Sequence, residues 1–383
     1  MYRLFKKDSL FIIFNKYLYD SLINYNITYI FNIGSLLGFS ILIQIVTGIL
    51  LSLYYNSILI NSYDSIYYIM LEIRNGSLIR FIHIIGVSLI FILLYLHIYK
   101  SLYYNSYIYP KSNTYYIGIF IFIIIIIISF LGYSLVGGQQ SYWGIVVICN
   151  ILSIIPYIKE WFTYYIWGNY YISNDTINRL FSFHYLLGLI ILIFIIIHLI
   201  YLHTNGGNSI LGLNNNSSMI NFNIYYTIKD LYSLFIYIFI LLYISFYIPY
   251  NYIDKDNNNI YNSIITPISI VPHWYLLYFY CILRCFYNKH IGVIIMFSSI
   301  LILFILPFTN ISFIKSNKFK LFNIYFLNSI IYIYSILIYI GSCHINKYYI
   351  ILSKILILYY FLYFTILLFL LNLLNNILYY YSN

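Results

Sequence analysis

Eight histidines occur in the 383 residues, and four of them, His83, His97, His184 and His198, fall inside long apolar stretches. In each stretch the two histidines are fourteen residues apart. At about 1.5 Å of rise and about 100° of turn per residue, that spacing climbs roughly 21 Å and returns to within about 40° of the starting face. Each helix would carry two imidazoles on one stripe. If the two helices run in the same direction, His83 faces His184 and His97 faces His198. Facing imidazoles can hold a metal between them, and two such sites stacked across a membrane suit a pair of b-type haems. The plainer alternative is four unrelated polar residues lining a cavity.

Glycine repeats the spacing. Gly34 and Gly48 lie in one apolar stretch and Gly118 and Gly132 in another, again fourteen apart, in a chain with 17 glycines. A flat macrocycle edge that approaches a helix backbone needs a position without a side chain. Glycines at this interval, on the two helices without the histidines, predict four helices closing around both rings. Ordinary small-residue helix packing is the competing account.

The elements that must carry these residues follow from composition. Hydrophobic residues make up 63% of the chain and charged residues 7%, against roughly 25% charged in soluble domains. Mean hydropathy is +0.87. Such a chain belongs in a bilayer, where the backbone must pair internally and long spans are helices. The sequence contains no alanine and is rich in Ile, Phe, Tyr, Asn and Lys, whose codons are built mainly from A and T. An A+T-rich genome, such as an organelle's, accounts for that bias, so the Ile runs do not signal strands. The net charge of +10 is spread over the loops and gives no sign of a nucleic-acid partner. Four cysteines, Cys149, Cys281, Cys285 and Cys343, suggest packing and not a disulfide frame or zinc site. The opening MYRLFKKDSLFIIF is amphipathic without a cleavage site and reads as a retained interfacial helix.

Apolar stretches near 32–55, 77–103, 114–136, 179–203, 230–249, 290–309, 321–341 and 348–372 predict eight spans of about 20 residues each. The loops 137–178 and 249–289, rich in Trp, Tyr and Pro, are expected at the interface. An even number of spans puts both termini on one side. That side collects ten Lys/Arg and three acids against nine and six opposite, which makes it the inner side. The expected fold is therefore an all-α integral membrane protein with eight transmembrane helices, the first four bundled around two b-type haems. Its two parts are 1–205, with the amphipathic helix and haem bundle, and 206–383, four further helices with a long loop.

The pieces NIGSLLGFSILIQIVTG, RFIHIIGVSLIFILLYLHIYKSLYY, GYSLVGGQQSYWG, RLFSFHYLLG, HLIYLHTNGGN, YYTIKD, VPHWYLLYFYCILR and YIGSCHINKYY resemble the mitochondrial cytochrome b family over nearly the whole chain. That resemblance implies a subunit of the ubiquinol–cytochrome c reductase in the mitochondrial inner membrane, with both termini in the matrix. It implies ubiquinol oxidation on the intermembrane side and quinone reduction on the matrix side. It also implies a low-potential haem on His83 and His184, a high-potential haem on His97 and His198, and as partners the Rieske iron–sulfur protein, cytochrome c1, other complex III subunits, lipid and a second copy of the complex.

By the same resemblance, Arg80 and Arg179 would pair with haem propionates, and a guanidinium can bind a carboxylate with two donors. Lys100 stands where the family has Arg, so that contact becomes a point charge. His203, Lys229, Asp230 and Asn32 would form the matrix-side quinone site, with Gly207 in place of the family's serine. Pro272, Trp274, Tyr275, Tyr133, Trp143 and Gly144 would belong to the intermembrane-side site. There the sequence departs from the family, because Pro-Glu-Trp-Tyr is here Pro272-His273-Trp274-Tyr275. An imidazole can accept a proton near neutrality, so His273 would replace the glutamate as base. The family's Pro-Trp-Gly before the glutamines is Val136-Gly137-Gly138, which predicts an altered loop. Three other classes compete. A proton-relaying transporter would scatter polar residues through more spans, and a respiratory subunit without haem would not need the paired spacings. A di-haem quinone reductase of another family would lack PHWY and QQSYWG.

Overall fold

The computed structural model describes residues 12, 15–154, 159–169, 171–207, 212 and 218–382. The amphipathic helix expected at 1–14 lies outside them apart from Ile12, as do parts of the loops at 155–158 and 208–217. Within the described residues, eight helical stretches are long and apolar enough to cross a membrane: 29–52, 76–103, 112–134, 174–204, 225–247, 289–309, 322–342 and 347–381. Every expected span is present. The last one is longer than expected, because a wider turn at Tyr363–Leu367 carries the helix on to Ser382.

We number the helices α1 (Ile33–Ser52), α2 (Leu59–Leu71), α3 (Gly76–Tyr103), α4 (Ser112–Ser134), α5 (Gln139–Leu152), α6 (Lys159–Trp167), α7 (Asn174–Asn205), α8 (Tyr225–Tyr247), α9 (Leu277–Arg284), α10 (Lys289–Leu301), α11 (Leu321–Ser342), α12 (Lys347–Leu362) and α13 (Leu368–Ser382). Helix α1 packs along α3, and α4 along α7. Each histidine helix thus has a glycine helix as its closest neighbour. A short ribbon pairs Leu22–Asn24 with Met219–Asn221 in antiparallel register, Ile23 opposite Ile220.

Sequence reading did not separate α2 from the loop between the first two spans. Its buried positions, Leu59, Ser62, Tyr63, Ile66 and Ile69, recur at three and four residues, while Ile60, Tyr67, Tyr68 and Leu71 are exposed. That is the stripe of a helix lying on a surface. The 137–178 loop, expected at the interface, forms α5 and α6. Chain direction brings α2, α5, α6 and the 249–276 segment to one end of the bundle, the end of His83 and His184.

The two parts share one core. A continuous apolar cluster runs from Ile33, Phe91 and Ile124 through Tyr278 and Ile282 to Leu337 and Phe364. Many large side chains on the spans face outward, among them Leu186, Ile193, Ile196 and Ile200 of α7. In a bilayer these meet lipid or partner subunits.

Candidate functional site

The four span histidines meet in two pairs. The ring centres of His83 and His184 are 6.4 Å apart, and those of His97 and His198 are also 6.4 Å apart. With metal–imidazole bonds of about 2 Å and each nitrogen about 1 Å from its ring centre, an axial pair spans about 6 Å. The donor set and its separation therefore fit an iron held between each pair.

Neighbouring groups fix the tautomers of the first pair. Thr47 Oγ1 donates to the Ile43 carbonyl at 2.8 Å and lies 2.9 Å from Nδ1 of His83. With its own proton committed, the hydroxyl accepts from Nδ1–H. His184 Nδ1 lies 2.9 Å from the Ile128 carbonyl, which can only accept. Both Nε2 atoms are left with a free lone pair, as a ligating imidazole requires. Nδ1 of His97 has no such partner among the described residues, whereas the His198 imidazole faces the backbone of Thr114, one fourteen-residue step along α4 from the Ile128 carbonyl that serves His184.

The four glycines at the fourteen-residue interval lie directly against the paired imidazoles. A Cβ at Gly34 would stand 3.4 Å from Cε1 of His97, at Gly48 3.1 Å from His83, at Gly118 3.2 Å from His198 and at Gly132 2.6 Å from His184. Each glycine seats the edge of one imidazole. At Gly38 and Gly188 a Cβ would meet nothing within 4 Å.

One cavity extends from Gly48, His83, Gly132 and His184 to Tyr133, Asp254, His273 and Tyr275, with Arg80 on its wall. The His273 ring sits edge-on to Tyr133 at 4.5 Å and stacks on Tyr275 at 5.4 Å. Tyr275 is buried and lies flat on Phe91 at 4.0 Å. Burial pushes the His273 imidazole below its ordinary value, and nearby Asp254 opposes that. The Tyr275 phenol is pushed upward by burial.

The glutamines of QQSYWG clamp the loop that carries His273. Gln140 Nε2 donates to the Val271 carbonyl at 3.0 Å, beside Pro272, and Gln139 Nε2 donates to that of Ile265 at 2.5 Å. Trp143 Nε1 donates to the Asn262 carbonyl at 3.1 Å, and Trp274 Nε1 to Ser88 Oγ at 3.4 Å. Trp143, Gly144 and Pro272 do not line the cavity, although a Cβ at Gly144 would reach Tyr133 at 3.8 Å. The double glycine has a steric reason. Gly137 takes φ +69°, and a Cβ at Gly138 would stand 2.7 Å from the Asn257 carbonyl oxygen. Two chain segments meet there too closely for side chains.

At the opposite end, Ser35 Oγ donates to Oδ1 of Asp230 at 2.7 Å, and Asn32 Nδ2 to Ser233 Oγ at 3.1 Å. Lys229 Nζ donates to the Ile27 carbonyl at 3.0 Å and lies over the Tyr29 and Tyr226 rings. His203 is exposed in the last turn of α7, and the Gly207 carbonyl accepts from Asn24 Nδ2 at 3.2 Å. Lys100 Nζ lies 4.7 Å from the Phe31 ring centre. Arg179 donates to the Tyr165 carbonyl, stacks over the Tyr165 ring at 5.6 Å and is absent from the cavity wall. Asp254, Thr47 and Ser35 were not singled out in the sequence. Thr47 had a signal, since it adjoins Gly48; Asp254 had only its place in an Asn-rich turn.

Comparison with known proteins gives two family models, one described as Cytochrome b/b6/petB over residues 18–206 and one as Cytochrome b(C-terminal)/b6/petD over 260–361. The chain is 39% identical over 352 residues to the Cytochrome b of Saccharomyces cerevisiae, covering 92% of this chain and 91% of that one. It is 41% identical over 353 residues to that of Schizosaccharomyces pombe, with the same coverage. A chain of a hyperthermophilic respiratory Complex III superposes with a TM-score of 0.90 at 26% identity, covering 98% of this chain and all of that one.

Proposed function

This chain belongs to the cytochrome b family, and from that premise we propose how its own residues carry out the work of a multi-pass membrane subunit of respiratory complex III. His83 and His184 would hold one b-type haem and His97 and His198 a second. When bound, the two haems supply one-electron transfer between the two ends of the bundle. The observation that carries this reading is the equal separation of the two imidazole pairs, each ring seated against its own glycine.

Ubiquinol would be oxidised in the cavity beside His83 and His184. There His273 is the proton acceptor for the quinol hydroxyl, and Tyr133 and Tyr275 hold its ring. Arg80, on the same wall, is the propionate partner. Arg179 is committed to Tyr165 and is a weaker candidate for that role. Lys100 would offer a point charge near the second pair. Quinone would be reduced at the other end, where Asp230, held by Ser35, and Lys229 stand beside Asn32 and Ser233, with His203 as a further donor.

The proposal extends to the mitochondrial inner membrane, with both termini on the matrix side, and to assembly with a Rieske protein, cytochrome c1 and a second copy of the complex. The exposed apolar face of α7 supports contact with lipid or partner helices. The test is a reduced-minus-oxidised spectrum of membranes carrying His97→Leu. One b-type component should disappear while the other persists. Retention of both components unchanged would overturn the ligand assignment.

A further inference from the structure

Three separate elements converge on one wall of the cavity. Tyr133 comes from the end of α4, Asp254 from the turn after α8, and His273 from a loop nineteen residues further along. The Tyr133 hydroxyl donates to Oδ2 of Asp254 at 2.5 Å, while its ring meets the His273 imidazole edge-on at 4.5 Å. Among the described residues lining the cavity, Asp254 is the only carboxylate.

We propose that Asp254 is the charge partner of His273, a positioning residue that allows the imidazole to take the quinol proton inside an apolar cavity. This rests on the reading of His273 as proton acceptor. As the quinol is oxidised, one hydroxyl proton goes to the His273 ring nitrogen and the other toward the Rieske partner, and the two electrons would pass to one-electron acceptors, one to that partner's iron–sulfur cluster and one to the b-type haem that His83 and His184 would hold. A lone histidine would pass from neutral to positive, which burial opposes. The histidine–aspartate pair passes instead from minus one to zero, the same charge change as a single carboxylate. The carboxylate that the family sequence places at position 273 is thus supplied here by another segment of the chain.

Arg80 of α3 lines the same cavity and opposes protonation, while Tyr252 and Tyr275 add phenols. Lys255 and Asp256 follow Asp254 along its turn and offset one another in sign. Tyr133 holds the Asp254 carboxylate in place, and nearby Asp254 raises the imidazole against the effect of burial.

The experiment compares intact complexes carrying Asp254→Asn, Asp254→Glu, His273→Leu and the double variant His273→Leu/Asp254→Asn, all checked for both b-type spectral components. Removing the negative charge weakens the base. In Asp254→Asn, quinol oxidation near pH 7 should fall about five- to tenfold, and its acidic limb should move down by about one pH unit. Asp254→Glu should restore both. In the His273→Leu background, Asp254→Asn should cost little more. If His273→Leu slows turnover but Asp254→Asn leaves the acidic limb in place, the pairing is wrong and the acceptor reading stands. If His273→Leu turns over like wild type, the acceptor reading itself falls.

Discussion

Gly132 and His184 are so close that a Cβ on the glycine would stand 2.6 Å from Cε1 and 3.1 Å from Nδ1 of the imidazole. The bare backbone of α4 is therefore what allows the ring on α7 to reach its partner on α3. Gly48 does the same for His83 from α1.

A valine at Gly132 must displace the ring or the helix, and overpacking of this kind costs roughly 1–3 kcal/mol. Gly132→Val should lose the spectral component assigned to His83 and His184. Gly38→Val should keep both components, because nothing lies within 4 Å of its Cβ. Equal haem content in the two variants would show that the glycine interval is coincidence.

Thr47→Val removes the acceptor for Nδ1 of His83 at nearly constant volume. An unpaired buried donor costs about 1–3 kcal/mol, and the ring loses the contact that holds its tautomer. Redox titration should show a shifted midpoint for one b component and no shift for the other, with recovery in Thr47→Ser. A titration identical to wild type would mean that Thr47 does not orient the ligand.

The pH dependence of quinol oxidation follows from His273. Burial holds its folded pKa below the usual value, so the imidazole is neutral at rest near neutrality. Activity should fall as pH drops through that lowered value and hold above it. His273→Leu should slow quinol oxidation without removing a haem, whereas His273→Glu should keep activity and extend it to lower pH. Wild-type turnover by the leucine variant between about pH 5 and 8 would assign the proton to another group.

Asp230→Asn tests the other end. Its carboxylate accepts from Ser35 at 2.7 Å, an arrangement suited to holding and delivering a proton. Quinone reduction on that side should slow several-fold, with quinol oxidation measured separately left intact. Equal loss at both ends would point to a folding defect.

The sequence by itself determined that this is a membrane-spanning helical protein and which four histidines pair. Both are one-dimensional properties. Composition selects the solvent, and an interval of fourteen residues fixes face and height on a helix whatever surrounds it. The resemblance motifs pointed to a candidate quinone site at each end of the bundle and to His273 as the residue that departs from the family's Pro-Glu-Trp-Tyr pattern. Tertiary structure alone decided what each glycine touches, because spacing along one helix does not say which neighbour lies beside it. It also decided that α2 is a surface helix, that Arg179 turns to Tyr165, and that Asp254 meets Tyr133 on the wall shared with His273. Asp254 and His273 sit in loops without a repeating period, so their convergence depends on contacts such as Gln140 with Val271 and Gly138 with Asn257, which form only when the chain closes on itself.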